Sequence, residues 1–160
     1  MSKRGAVILP GSYDPVTVGH LEIIREAARL YERVFVVAFI NPEKRYTFTP
    51  DERVEMLRIA TRELPSVTVD FSDGLVIDYM RERGISEILK GYRNDADLEY
   101  EKGMAGWNKK NGGVETRLLR CKDEFSSVSS SAVREALSQG RMPDGMLPPG
   151  VFEYILSHKG

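Results

Sequence analysis

Apolar and polar positions alternate with two different periods along the chain, and the period switches repeatedly. Ala6 to Leu9 is a short continuous apolar run ended by Pro10-Gly11, the pattern of a strand buried on both faces. From Leu21 the spacing changes: Leu21, Ile24, Ala28 and Tyr31 share one helical face, with Glu22, Arg25, Glu26 and Arg29 opposite. "RVFVVAFI" (Arg33 to Ile40) is β-branched and aromatic and predicts a second buried strand. Strand, helix and strand in succession make a βαβ unit with parallel strands.

The remaining chain repeats this rhythm. Asn41 to Phe48 is a polar, basic loop that runs into "TPDE", where Thr49 is an N-cap, Pro50 takes the first helical position and Glu52 completes a capping box. Val54, Leu57, Ala60 or Thr61, and Leu64 form the apolar face of the helix that follows, stopped by Pro65. Ser66 to Phe71 predicts a third strand, Asp73 to Gly84 a short helix with Gly84 at its end, and Ile85 to Gly91 a fourth strand. Asn94 to Gly113 predicts a helix, Glu115 to Cys121 a fifth strand, and Phe125 to Gly140 a serine-rich loop entering a helix. A last amphipathic helix runs through Phe152, Ile155 and Leu156. The fold class is therefore α/β: an open, doubly wound, parallel five-stranded sheet, Rossmann-like, with C-terminal helices, in one domain over residues 1–160.

Ligands of such sheets bind outside the carboxyl ends of the strands, which singles out the loops Pro10–Gly19, Asn41–Phe48, Gly91–Asp97 and Lys122–Ser131. These loops hold Ser12 and His20, Lys44 and Arg45, Arg93 with Lys90 just before it, and the serines from Ser126 to Ser131. Cations, hydroxyls and two helix N-termini at one mouth suit a polyphosphate ligand. Each element alone is ambiguous: Lys44 and Arg45 can be solvated charges, and a serine run can be an N-cap. Lys90 ends an otherwise apolar strand and must reach water or an anion. His20 stands beside Gly19 at a helix start, where the dipole disfavours its protonation; it can make a local hydrogen bond or donate to a phosphate oxygen.

Composition narrows the classes. A net charge of -1 offers no general field for nucleic acid or a membrane surface. Cys121 is the single cysteine, which excludes an internal disulfide and suits a reducing cytoplasm, with the thiol expected in a buried strand. The N-terminal apolar run is shorter than a signal peptide's apolar core, and no stretch reaches the roughly 20 residues of a membrane span. His20 and His158 are the only histidines, so a metal cage of His and Cys is not expected. Neither a Walker A pattern nor GxGxxG follows the first strand.

"TVGH" (Thr17 to His20) resembles the [HT]xGH signature of the nucleotidyltransferase superfamily. "PGSYDPVTVGH", "PEKRYTFTPDERVEM", "LKGYRNDADLEYE" and "VSSSAVRE" follow in the order and spacing of the bacterial phosphopantetheine adenylyltransferase family. That resemblance implies reversible adenylyl transfer from ATP to 4′-phosphopantetheine, with Mg²⁺ carried on the ATP phosphates, in a cytoplasmic homohexamer. It implies that Ser12, in place of the usual threonine, touches both substrates and that Tyr13 lies at the nucleotide. His20 would stabilise the transition state at the α-phosphate, Lys44 would bind the acceptor phosphate and steady the α-phosphate, and Lys90 would hold the acceptor phosphate. Gly91, Tyr92, Arg93 and Glu101 would line the ATP site, and Phe125, Ser126, Ser127, Val128, Ser129, Ser130 and Ser131 would cradle the β- and γ-phosphates. Val76 and Asn108 fall on the pantetheine arm.

Three departures lie on the acceptor side. Lys90 replaces an arginine, Tyr92 replaces an apolar residue, and "KGMAGWNKKNGG" replaces a Met-rich helix. The alternatives are a relative using CTP with an alcohol phosphate or a nicotinamide nucleotide acceptor, and a non-catalytic nucleotide sensor. A sensor has no need of a group reserved for transition-state charge.

Overall fold

The first apolar run becomes β1 (Arg4–Gly11), the centre of a five-stranded parallel sheet in a computed structural model that describes residues 3–159. Met1, Ser2 and Gly160, included in the expected domain, lie outside the described residues. The chain continues through α1 (Val18–Leu30), β2 (Tyr31–Phe39), α2 (Pro50–Ala60), β3 (Val67–Ser72), α3 (Val76–Arg83), β4 (Glu87–Tyr92), α4 (Asp95–Gly112), β5 (Glu115–Arg120), α5 (Ser130–Ser138) and α6 (Val151–Lys159). A 3-10 turn at Asp123–Phe125 precedes α5. The strand order is β3-β2-β1-β4-β5, with every pairing parallel.

Alternation along the strands feeds two cores. Val7 and Leu9 face one side, packing with Ile23, Ile24 and Ala27 of α1, Met56 and Leu57 of α2, and Val151 and Ile155 of α6. Ile8 faces the other side with Val37, Ile88, and Tyr79 and Met80 of α3. A Cβ on Gly112 would lie 2.6 Å from Ile77, so α4 packs against α3 on that second side. The order therefore reverses between β1 and β4, whose following helices take opposite faces.

Several expected positions differ. Tyr31 does not extend the first helical face: α1 ends at Leu30, and Tyr31 opens β2 opposite Arg4. The buried stripe uses Ile23 and Ala27 where Ala28 was expected. The capping box at Thr49 and Glu52 forms as expected, but Leu64 lies past the end of α2, and Arg53, next to the apolar stripe, is wholly buried. α3 starts at Val76, later than Asp73, since the Gly74 N–H bonds back to Ser72 Oγ in a turn and Leu75, at the N-cap position, is still extended. Leu156 is 59% exposed, and Val151 takes its place in the core. Cys121 follows β5 and is half-buried, not a buried strand residue. Among the described residues no helix is long and apolar enough to cross a membrane.

Candidate active site

The turn after β1 folds back on the strand. Tyr13 takes a left-handed backbone (φ 48°), and its buried hydroxyl donates to the Leu9 carbonyl at 2.9 Å. Gly11 leaves room for this turn, since a Cβ there would crowd the Tyr13 ring at 3.1 Å. Asp14 is buried, and its carboxylate accepts from the backbone N–H groups of Thr47 and Phe48, each at 2.9 Å. Arg134 donates to the Asp14 carbonyl at 2.8 Å and Ser130 Oγ donates to the Pro15 carbonyl at 2.7 Å. Three of the four singled-out loops are thereby fastened together. In the remaining one, Asn94 caps α4 and Asp97 accepts from Arg93 Nε at 3.1 Å.

His20 is the third residue of α1, and there it takes the part usually played by Glu or Gln in a capping box. Its Nδ1 accepts from the Thr17 backbone N–H at 2.9 Å, while its own N–H donates to Thr17 Oγ1 at 3.3 Å. An Nδ1 that accepts carries no proton, so the neutral ring holds its hydrogen on Nε2, on the far side of the ring. Desolvation, then the Lys90 and Arg93 cations, push the His20 pKa down to about 4. The ring is neutral at pH 7 and packs edge-on to Tyr13 with centroids 4.9 Å apart. A Cβ on Gly19 would make only ordinary contacts, 3.5 Å from Thr17 Oγ1, so internal packing does not demand the glycine. Its missing side chain instead keeps the start of the helix open.

Two clefts meet at the carboxyl edge of the sheet. The first, about 390 Å³, is lined by Tyr13, His20, Gly91, Arg93, Glu101, Phe125, Val128, Ser129 and Ser130, with Leu9, Ile23 and Leu89 at its floor. The second, about 610 Å³, is lined by Ser12, Lys44, Val76, Lys90, Glu101 and Asn108, with Phe39 and Ile88 below. Leu89 and Ile88 point to opposite faces of β4, so the clefts lie on opposite sides of the sheet edge. Pro10, Gly11, Lys90, Tyr100 and Glu101 line both. Lys90 Nζ stands 3.5 Å from the Glu101 carboxylate at this junction.

The expected residues thus divide between two adjoining spaces. Tyr92, Ser126, Ser127 and Ser131 line neither cleft. The serine hydroxyls are largely occupied: Ser129 Oγ caps α5 by accepting from Ala132 N–H, Ser130 Oγ donates to Pro15, and Ser131 Oγ accepts from Arg134. What α5 offers an anion is its first-turn backbone N–H groups. Sequence reasoning missed Tyr100, 67% exposed yet lining both clefts, and Met104, four residues on along the same face of α4. The i, i+4, i+8 spacing of Tyr100, Met104 and Asn108 was the available signal.

Among the described residues no group of three His, Cys, Asp or Glu side chains is placed to hold a metal ion. The carboxylates of the first cleft, Asp97 and Glu101, are already paired with Arg93 and Lys90. This donor set fits a cation that arrives on the ligand's own phosphates better than one caged by the protein.

A doubly wound sheet with an [HT]xGH helix start at its switch point defines a class, and the cytidylyltransferase-like family model matches residues 8–136. The phosphopantetheine adenylyltransferase of Symbiobacterium thermophilum is 46% identical over 143 residues, covering 89% of this chain and 88% of that protein. That of Thermobifida fusca is 42% identical over 149 residues, covering 93% and 91%. The chain belongs to the phosphopantetheine adenylyltransferase family of nucleotidyltransferases. The fold has a more distant likeness to a crystal structure from Vibrio parahaemolyticus assigned provisionally to the nicotinate-nucleotide adenylyltransferases, with a TM-score of 0.72 at 15% identity over 96% of this chain and 93% of that one.

Proposed function

We propose that the chain, acting as a single nucleotidyltransferase domain over residues 1–160, transfers an adenylyl group reversibly from ATP to 4′-phosphopantetheine, giving dephospho-CoA and pyrophosphate. The observation that carries this reading is the junction of two clefts at Lys90 and Glu101, with the neutral His20 lining one and Lys44 the other. The nucleotide occupies the first cleft, against Tyr13, Gly91, Arg93, Glu101, Phe125 and the N-terminus of α5. The acceptor occupies the second, its phosphate between Lys44 and Lys90 and its arm toward Val76 and Asn108, with Ser12 between the two ligands.

A phosphate monoester with a second pKa of about 6 is largely a dianion at neutral pH, so it needs no general base. Its oxygen attacks the α-phosphorus in line, a new P–O bond forms, and the bond to the β-phosphate bridging oxygen breaks with its electron pair leaving on pyrophosphate. The enzyme's work is to bring two anions together and stabilise the added charge. Lys44 and Lys90 neutralise the approach, and the Nε2–H of His20 meets charge on the α-phosphate oxygen. Mg²⁺ bound to the ATP phosphates would add neutralisation of the leaving pyrophosphate.

Purified protein with Mg²⁺, ATP and 4′-phosphopantetheine is expected to release pyrophosphate. Release only with CTP, or only with another phosphate acceptor, overturns the substrate assignment; ATP binding without turnover favours the sensor. We also propose a cytoplasmic location, consistent with the lone cysteine, and a homohexamer, for which the exposed Phe71, Trp107, Met142 and Leu156 offer apolar contact surface. Light scattering on the purified protein decides the latter, and a monomer would reject it.

A further inference from the structure

Arg53 is a wholly buried cation that the chemistry above does not use. It lies one residue beyond the Glu52 capping position of α2, and it lines neither cleft. Its Nη1 donates to the Ser12 carbonyl at 2.8 Å, and its guanidinium lies over the Tyr46 ring, 4.1 Å from the centroid. Nε and Nη2 are buried without a hydrogen-bond partner among the described residues. A buried guanidinium with unused donors is costly, and an apolar side chain of similar volume would pack there with less penalty. The Asp14 carboxylate offsets part of that cost, and the two unused donors leave the rest uncompensated.

Both of its contacts belong to segments that line the larger cleft. Ser12 lines it directly, and Tyr46 closes the loop that bears Lys44: its hydroxyl accepts from the Asn41 N–H at 2.8 Å, and the Lys44 N–H donates to the Asn41 carbonyl at 3.0 Å. Asp14 adds a parallel tie through Thr47 and Phe48. An arginine suits this place because its planar group can stack on a ring and donate in its own plane at once, which an ammonium cannot do.

We propose that Arg53 is a positioning residue of the acceptor site: its buried guanidinium clamps the Ser12 turn to Tyr46 and so fixes Lys44 across the cleft from Lys90. This rests on reading the larger cleft as the acceptor's.

The test compares Arg53→Met in the wild-type and Lys44→Ala backgrounds, following pyrophosphate release with ATP and 4′-phosphopantetheine varied separately. Arg53→Met is expected to lower kcat/KM for the acceptor by about tenfold or more, as for small displacements of a positioning group, with the KM for ATP within about twofold. In the Lys44→Ala background the same substitution is expected to add less than about twofold, because it acts through Lys44. Losses that multiply in that background, or a KM for ATP that rises with the acceptor's, overturn the proposal. Tyr46→Leu removes the other half of the stack from a half-buried position and carries the same comparison if Arg53→Met does not fold. Hydrogen exchange reads the clamp without turnover: residues 11–15 and 41–48 should exchange faster in the variant, and unchanged exchange there overturns the clamp. If the wild type releases no pyrophosphate with this acceptor, the substrate assignment falls and the exchange result alone decides the clamp.

Discussion

The proposed function gives His20 two separable jobs, and one substitution can remove one without the other. Its Nδ1 caps α1 by accepting from Thr17 N–H at 2.9 Å, and its Nε2 is left as a donor. Glutamine at the third helical position is an ordinary capping-box residue, so His20→Gln keeps an acceptor for Thr17. It cannot keep the donor, because the amide nitrogen shares a carbon with the capping oxygen, whereas Nε2 lies across a ring from Nδ1. His20→Ala loses both. One net capping hydrogen bond contributes about 1 kcal/mol. For a chain of 160 residues that corresponds to roughly 2–4 °C in Tm. Loss of one donor to developing charge lowers kcat by roughly 10²–10³. The expected pattern is equal kcat losses in both variants, with Tm falling only in the alanine. Calorimetry and steady-state pyrophosphate release measure the two quantities on one preparation. A glutamine variant that keeps more than about a tenth of wild-type kcat would refute the assignment of Nε2–H as the transition-state donor.

Four further outcomes follow from the same geometry. Because the His20 pKa is lowered to about 4, the acid limb of kcat/KM for the acceptor should follow the acceptor phosphate's own ionisation near about 6 and shift with acceptor identity. The unfolded chain binds a proton at His20 below about 6.5 and the folded chain only below about 4, so this histidine's contribution is present above the higher value and lost as pH falls toward the lower. Between those limits wild-type Tm should therefore drop more steeply than that of His20→Gln, and parallel curves would contradict the neutral ring. Gly91→Ala would place a Cβ 2.9 Å from Ile23 Cγ1 and 3.3 Å from Cys121 Sγ. It should destabilise by about 1–3 kcal/mol, partly restored in an Ile23→Ala background, and an unchanged Tm would refute the packing. Lys90→Arg can engage Glu101 and a phosphate through different nitrogens, so kcat/KM should stay within about threefold; collapse would show a pocket built around the ammonium.

Local chemistry was readable from the chain and tertiary chemistry was not. Thr49, Pro50 and Glu52 declare their helix start because a capping box lies within four consecutive residues, and it forms as expected. The five-strand alternation was legible for the same reason, each buried run being short and bounded by Pro, Gly or a cap. Tyr31 was misplaced because its spacing fits the helical face equally well; only pairing with Arg4, at the far end of the βαβ unit, assigns it to β2. Arg53 was illegible for a deeper reason. Its spacing from Met56 and Leu57 puts it beside the apolar face, but nothing in "PDERVEM" says whether a cation there is buried or reaches water, and its burial depends on Ser12 and Tyr46 arriving from two other loops. The serine run was legible as a helix start, but the sequence does not show that the hydroxyls of Ser129, Ser130 and Ser131 bond within the protein.

Strand order explains why the two clefts are distinct and yet share a wall. α1 and α4 leave β1 and β4 on opposite faces, and this reversal opens a crevice at the carboxyl ends of adjacent strands. The β1–β4 ladder is registered at Ile8 opposite Ile88, below the loops, and Pro10, Gly11 and Lys90 beyond it form the common wall. Alternation then sends Leu89 to one cleft and Ile88 to the other, so each cleft rests on its own hydrophobic core. Substitutions can be sorted accordingly. Those at Arg93 or the start of α5 act from one face and should fall on the nucleotide, whereas those at Lys44, Tyr46 or Arg53 act from the other and should fall on the acceptor. Lys90 and Glu101 line both clefts, so under the proposed function a change at that pair should be felt by both substrates, and a cation on the common wall would serve both anions as they are brought together.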